Sequence, residues 1–216
     1  MDRPTIAQLD GDTARYRLVL SLQHEGIATQ IQPLLFARDL PVLGYWLANA
    51  TLLALLVAIA AHSRFDAFDA FALASAGAMA AWLLLLPVHE HVHAFAYRLA
   101  GATDVSVHYQ LRTLTAYCVA DRSVVGGAAF VFVCLAPLVA IDALLAGAML
   151  FAPAGGPWPL LLGGALLFHT GAASGDVALA NLVWRCRGSR LWTYDDTGAR
   201  VSRFFVATDP PGRTLP

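Results

Sequence analysis

Apolar residues in this chain fall in long unbroken runs, not in the one-face or alternating patterns of a water-soluble domain. Pro41 to Ala61 offers about 21 uncharged residues, enough for a helix to cross a hydrocarbon layer of ~30 Å. Arg64, Asp66 and Asp69 interrupt, and a second run goes from Ala70 through Leu83-Leu84-Leu85-Leu86 to the neighbourhood of Gly101. A third runs from Val124 to about Phe151, with Pro137 expected to kink it and Asp142 as its charge. The fourth runs from Trp158 to about Trp184, where Gly163, Gly164, Gly171 and Gly175 permit close helix approach or local irregularity. Between the second and third runs, Val105 to Leu111 and Thr113 to Val119 alternate partially and carry β-type residues, which predicts a short hairpin. Leu191 to Tyr194 and Val201 to Val206, flanking Asp195-Asp196-Thr197-Gly198, predict a hairpin-like tail. The expected fold is an all-α polytopic membrane protein of about four transmembrane helices. Its divisions are an N-terminal segment (1–40), a membrane domain (41–185) and a tail (186–216).

Composition agrees with that pattern. The chain is 58% hydrophobic and 13% charged, with mean hydropathy +0.60, well outside the range of soluble globular domains. Its first 40 residues lack an apolar core next to a small-residue cleavage site, so no removable signal peptide is expected and the first helix directs insertion. Cys118, Cys134 and Cys186 are scattered, which speaks against a disulfide framework or a thiolate metal site. The net charge of -1 gives no field for nucleic acid. Arginine position is informative. Arg3, Arg15, Arg17 and Arg38 precede the first helix, Arg98, Arg112 and Arg122 flank the second loop, and Arg185, Arg187 and Arg190 begin the tail. The other two loops hold only Arg64. The positive-inside rule then places both termini and the loop from Gly101 to Ser123 in the cytoplasm.

Within the second run stands His89-Glu90-His91-Val92-His93. On a helix His89 and His93 are one turn apart and share a face, so both imidazoles can bind one zinc ion while Glu90 activates water; this is the H-E-x-x-H spacing of metalloproteases. With seven His and two Glu in the chain, chance gives that spacing in roughly two chains per thousand of this composition. His91 lies about 200° around the helix from His89 and is not expected to be a ligand. His24, His62 and His108 fall in predicted loops or helix ends.

A catalytic zinc takes three protein ligands and keeps one position open, so one more residue is needed. Counting from the outer ends of the helices, His89 and His93 lie about 19 to 23 residues in and Asp176 about 18, nearly equal depths at 1.5 Å per residue. Asp142 lies about nine residues in and is ~15 Å too shallow, which makes it a packed polar contact or the lining of a wet cavity. His169, seven residues before Asp176 on the same face, either donates to a substrate carbonyl or satisfies another buried group.

HEHVHAFAYRLAG near the end of one helix, Ala136-Pro137-Leu138 in the next and HTGAASGD at residues 169 to 176 resemble a family of small bacterial membrane proteins described as putative zincin peptidases, itself distantly similar to site-2 proteases. On that resemblance His89 and His93 are the histidine ligands, Glu90 the catalytic glutamate and Asp176 the distal aspartate. Asp176 follows Ser174-Gly175, whereas typical site-2 proteases have a leucine-aspartate-glycine pattern, and their proline-bearing asparagine motif is missing; the oxyanion-stabilising group is left open. The expected activity is zinc-dependent hydrolysis of membrane-associated protein or peptide substrates near the cytoplasmic face of a bacterial cell membrane, with the lipid bilayer as the other partner and no nucleic acid. A non-catalytic metal-binding scaffold and a small transporter subunit are the alternatives.

Overall fold

In the computed structural model, which describes residues 3–110 and 115–208, the chain opens with α1 (Ile6–Gly11), β1 (Tyr16–Gln23) and α2 (Ile27–Leu35). The apolar runs follow as helices: α3 (Leu40–Ala61), then α4 (Ala67–Ala80) joined to α5 (Leu86–Leu99) through a π-helical turn at Ala81–Leu85. The hairpin is β2 (Val105–Gln110) and β3 (Thr115–Ala120). Leu111, Arg112, Thr113 and Leu114 of the expected hairpin lie outside the described residues. After the short β4 (Val125–Gly126) come α6 (Gly127–Leu150), α7 (Trp158–Ala172), α8 (Ser174–Arg185) and the hairpin β5 (Leu191–Asp196) and β6 (Val201–Ala207).

Three helices, Leu40–Ala61, Ala67–Leu99 and Gly127–Leu150, are long and apolar enough to cross a membrane, and α7 with α8 makes a fourth if that pair, bent by 44°, counts as one span. Only 11%, 11% and 28% of the most apolar windows of those three helices are buried within the protein. The outward faces carry Leu47, Val57, Phe71, Leu84, Val139 and Leu144, all exposed. Apolar surface that continuous is not tolerated in water and fits a hydrocarbon surrounding.

The departures from unbroken helices have local causes. Pro87 lacks an N–H and its ring crowds the carbonyl of Leu83, four residues earlier; the π-helical turn that contains Leu83 absorbs the misfit. The fourth run is not the single helix expected: it breaks at Ala173, and Asp176 falls in the first turn of the new helix.

The helices dominate, but the flanking segments also form a sheet of order β1-β6-β5-β4. Within it β1 of the N-terminal segment runs antiparallel to β6 of the tail, Tyr16 opposite Ala207 and Gln23 opposite Val201. The all-α expectation therefore fails at this end of the molecule. Leu20 and Leu22 turn toward the core with exposed Ser21 and Gln23 between and after them, while the register shift between Leu18 and Leu20 leaves Leu18 exposed and lets Val19 pack against the core instead. Fully buried Leu22 and Phe204 join Tyr97, Phe130 and Val133 in one core cluster, so the sheet is packed onto the helices that carry the site.

Helix α7 lies against α4 at backbone contact distance. A Cβ on Gly164 would stand 2.0 Å from the carbonyl oxygen of Ala74, and one on Gly77 1.8 Å from that of Leu161. Small residues let the two backbones touch, as in helix pairs that associate without water to drive them together. Gly164→Ala is expected to destabilise the detergent-solubilised protein by about 1–3 kcal/mol. Gly147→Ala, where a Cβ meets nothing within 4 Å, should leave thermal unfolding unchanged or slightly raised.

Candidate metal centre

Helix α5 presents His89 and His93 from adjacent turns, with ring centroids 4.7 Å apart. From the first turn of α8, Asp176 meets both: Oδ2 stands 3.1 Å from His89 Nε2 and Oδ1 3.2 Å from His93 Nε2. The two Nε2 atoms are themselves 3.1 Å apart. Among the described residues, His89, His93 and Asp176 form a group whose ligand atoms all lie within 4.8 Å and could hold a metal ion.

The spacing and proton arrangement fit zinc. Ligands placed tetrahedrally at ~2.0–2.1 Å from an ion stand about 3.3–3.4 Å from one another, close to the edges of this triangle. His93 Nδ1 lies 2.9 Å from the carbonyl of Val133. It donates its proton there, which leaves the Nε2 lone pair facing Asp176. That acceptor has a sequence origin. Pro137 sits four residues beyond Val133 in α6 and has no N–H, so the Val133 carbonyl lacks its usual helical donor. Breaking the ladder in α6 supplies the support for a ligand in α5.

Glu90 is buried, lines the same cavity and lies beside the backbone of Cys118 on β3. The hairpin predicted next to the site is therefore in place, its β3 strand contributing residues 115–119 to the cavity wall. Burial, with the Glu90 charge adding to it, pushes the Cys118 thiol up to about 12, so it stays a thiol at neutral pH. The cavity, about 880 Å³, extends from the histidines along the hairpin to His24, Asp195, Arg200 and Ser202 of the sheet end. The sequence reading assigns no chemistry to the tail, yet β5 and β6 complete this wall.

Other histidines go where the spacing sends them. His91 is exposed, its Nδ1 2.8 Å from the Pro87 carbonyl and 3.3 Å from the Tyr109 hydroxyl. His62 bonds the Ala58 carbonyl at the end of α3, and His108 stacks on Tyr117. His24 contacts the Ser202 hydroxyl at 3.2 Å. His169 and Asp142 are different. His169 Nε2 is 3.1 Å from His89 Nδ1, and its Nδ1 is 2.6 Å from Asp142 Oδ1. In the sequence the only hint of a link between these two residues is that both are polar groups in apolar helices.

Apolar helices thus bring an H-E-x-x-H segment, an aspartate from a separate helix and a cavity to one junction. The chain belongs to the family described as putative zincin peptidase, which matches residues 82–190. That match contains His89, Glu90, His93, Asp142, His169 and Asp176, while α3 and the strands β1, β5 and β6 lie outside it. Comparison with curated proteins and with solved structures returns no match.

Protein purified without chelator is expected to carry about one zinc per chain by elemental analysis, and His93→Ala to lose it. Asp176→Ala should weaken zinc affinity by well over tenfold, since it removes a direct ligand. Stoichiometric zinc in both variants would refute this ligand set.

Proposed function

We propose that this chain is a zinc-dependent peptidase embedded in the bacterial cell membrane, with both termini cytoplasmic, which cleaves membrane-associated proteins near the cytoplasmic face. The observation that carries the reading is the convergence of the His89 and His93 Nε2 atoms on the Asp176 carboxylate, 3.1 to 3.2 Å apart, in a cavity that also contains Glu90. Family membership supports a peptidase of the zincin type.

Zinc held by His89, His93 and Asp176 would supply Lewis acidity, polarising the scissile carbonyl and lowering the pKa of water. Glu90 takes the proton of the attacking water and returns it to the leaving amine, the general-base and general-acid sequence suited to a buried carboxylate at this position. Strand β3 lines the approach to Glu90, so an extended substrate segment laid alongside it would present a peptide bond to the glutamate by β-augmentation. A helical segment arriving from the bilayer must first unwind, because a closed helix keeps its amides and carbonyls bonded to itself. The partners on this reading are the lipid bilayer and a membrane-associated protein or peptide, with no nucleic acid.

The test compares new protein N-termini in membranes from cells carrying the wild type or Glu90→Gln. Glu90→Gln should keep its zinc, because it removes no ligand, and lose cleavage by about 10²-fold or more. Identical N-termini in both membranes, with zinc bound in each, would refute proteolysis. For the topology, a reporter fused after residue 208 should read cytoplasmic, as should one in the loop from Gly101 to Ser123. External access to the C-terminus would contradict it.

A further inference from the structure

Asp142 is the charged residue of α6, a 24-residue helix whose apolar window has a mean hydropathy of 2.5. A carboxylate there is costly and is usually retained for a function, with partners that hold it. Its partners are specific. Oδ1 is 2.6 Å from His169 Nδ1, and Oδ2 is 2.7 Å from the Thr170 hydroxyl, which donates to it. His169, buried at the end of α7, reaches past Asp142 to His89, with Nε2 3.1 Å from His89 Nδ1.

Proton counting gives this chain a direction. A carboxylate only accepts, so His169 donates through Nδ1 to Asp142. In the neutral ring its Nε2 then carries a lone pair and can only accept, so His89 Nδ1 must be the donor between the two rings. His89 is thereby held with a bare Nε2 facing Asp176 and His93. The other ligand histidine has the same arrangement, with the Val133 carbonyl as its acceptor. Both histidines are thus fixed from behind, one by a backbone carbonyl and the other by an aspartate acting through a second histidine.

We infer that Asp142 and His169 are positioning residues for the metal centre, which set the tautomer and ring orientation of His89 and strengthen it as a ligand. The inference rests on the zinc-site reading above. A packed polar pair placed only for stability would not need to end on the Nδ1 of a ligand. Partners of this kind tune metal affinity by 10- to 100-fold when removed.

The experiment measures zinc affinity of the full-length protein in detergent by competition with a chelator, using zinc alone as the probe. Asp142→Ala and His169→Leu are expected to weaken binding about 10- to 100-fold, and His169→Gln, whose amide oxygen can accept from His89 Nδ1, to recover most of it. Asp142→Asn keeps the side-chain shape and removes the charge, so it serves if the alanine variant does not fold, with a loss of roughly tenfold. A second readout needs no zinc: ¹⁵N-histidine NMR of the wild type should show His89 protonated on Nδ1, and that signal should be lost in His169→Leu. Wild-type zinc affinity in folded Asp142→Ala, Asp142→Asn and His169→Leu would overturn the positioning role, as would His89 protonated on Nε2 in the zinc-free wild type. A wild type that takes up no zinc would instead overturn the metal centre, and this role with it.

Discussion

In helices this apolar, a backbone carbonyl or amide not bonded within its own helix must find a partner inside the protein, because hydrocarbon offers none. Three departures from regularity in the apolar helices lie at the candidate site or beside it. Pro137 frees the Val133 carbonyl, which receives His93. The break between α7 and α8 exposes the carbonyls of Thr170 and Gly171, and the Tyr45 hydroxyl from α3 lies 3.2 and 2.9 Å from them. The π-helical turn before Pro87 lies immediately ahead of the H-E-x-x-H segment. Apolar surroundings make each of these irregularities expensive, and each leads to the candidate metal centre or to the helix ends that carry it.

The break between α7 and α8 has a further consequence. In one straight helix, His169 and Asp176 would be about two turns apart on one face, some 10 Å along the axis. The 44° bend redirects α8. Asp176 then meets the Nε2 side of His89 while His169 meets its Nδ1 side, so one imidazole is held between two residues of the same original run. The sheet formed by β1, β6, β5 and β4 closes the cavity at the other end, with its buried Phe204 in edge contact with Phe130 of α6 at 5.6 Å. Segments outside the family match thus shape the access to residues inside it.

Much of this was legible in the sequence. The i,i+4 histidines fixed a face, helix rise placed Asp176 at their depth, and uncharged runs located the helices to within a few residues. Alternation marked the β2–β3 hairpin. Strand β1 escaped because the register shift between Leu18 and Leu20 spoils its alternation and because its partner lies nearly 180 residues or more away, where no local pattern names it. Depth also kept Asp142 out of the ligand set, and it stands outside the group of His89, His93 and Asp176. Helix rise along separate helices carries no information about a side chain that spans them, so the link from Asp142 through the ring of His169 to His89 was not legible. The freed Val133 carbonyl was implicit in Pro137, but its recipient could be known only once α5 and α6 were packed together.

The central claim is that two imidazoles and one carboxylate of this chain surround a single zinc ion. X-ray absorption at the zinc edge of the full-length, zinc-loaded Glu90→Gln protein tests it most directly, because it reads the ligand atoms without requiring a substrate. The account predicts a four-coordinate shell of nitrogen and oxygen at ~2.0–2.1 Å with the outer-shell scattering of two imidazoles. A sulfur shell at ~2.3 Å, or a spectrum without imidazole scattering, would contradict it.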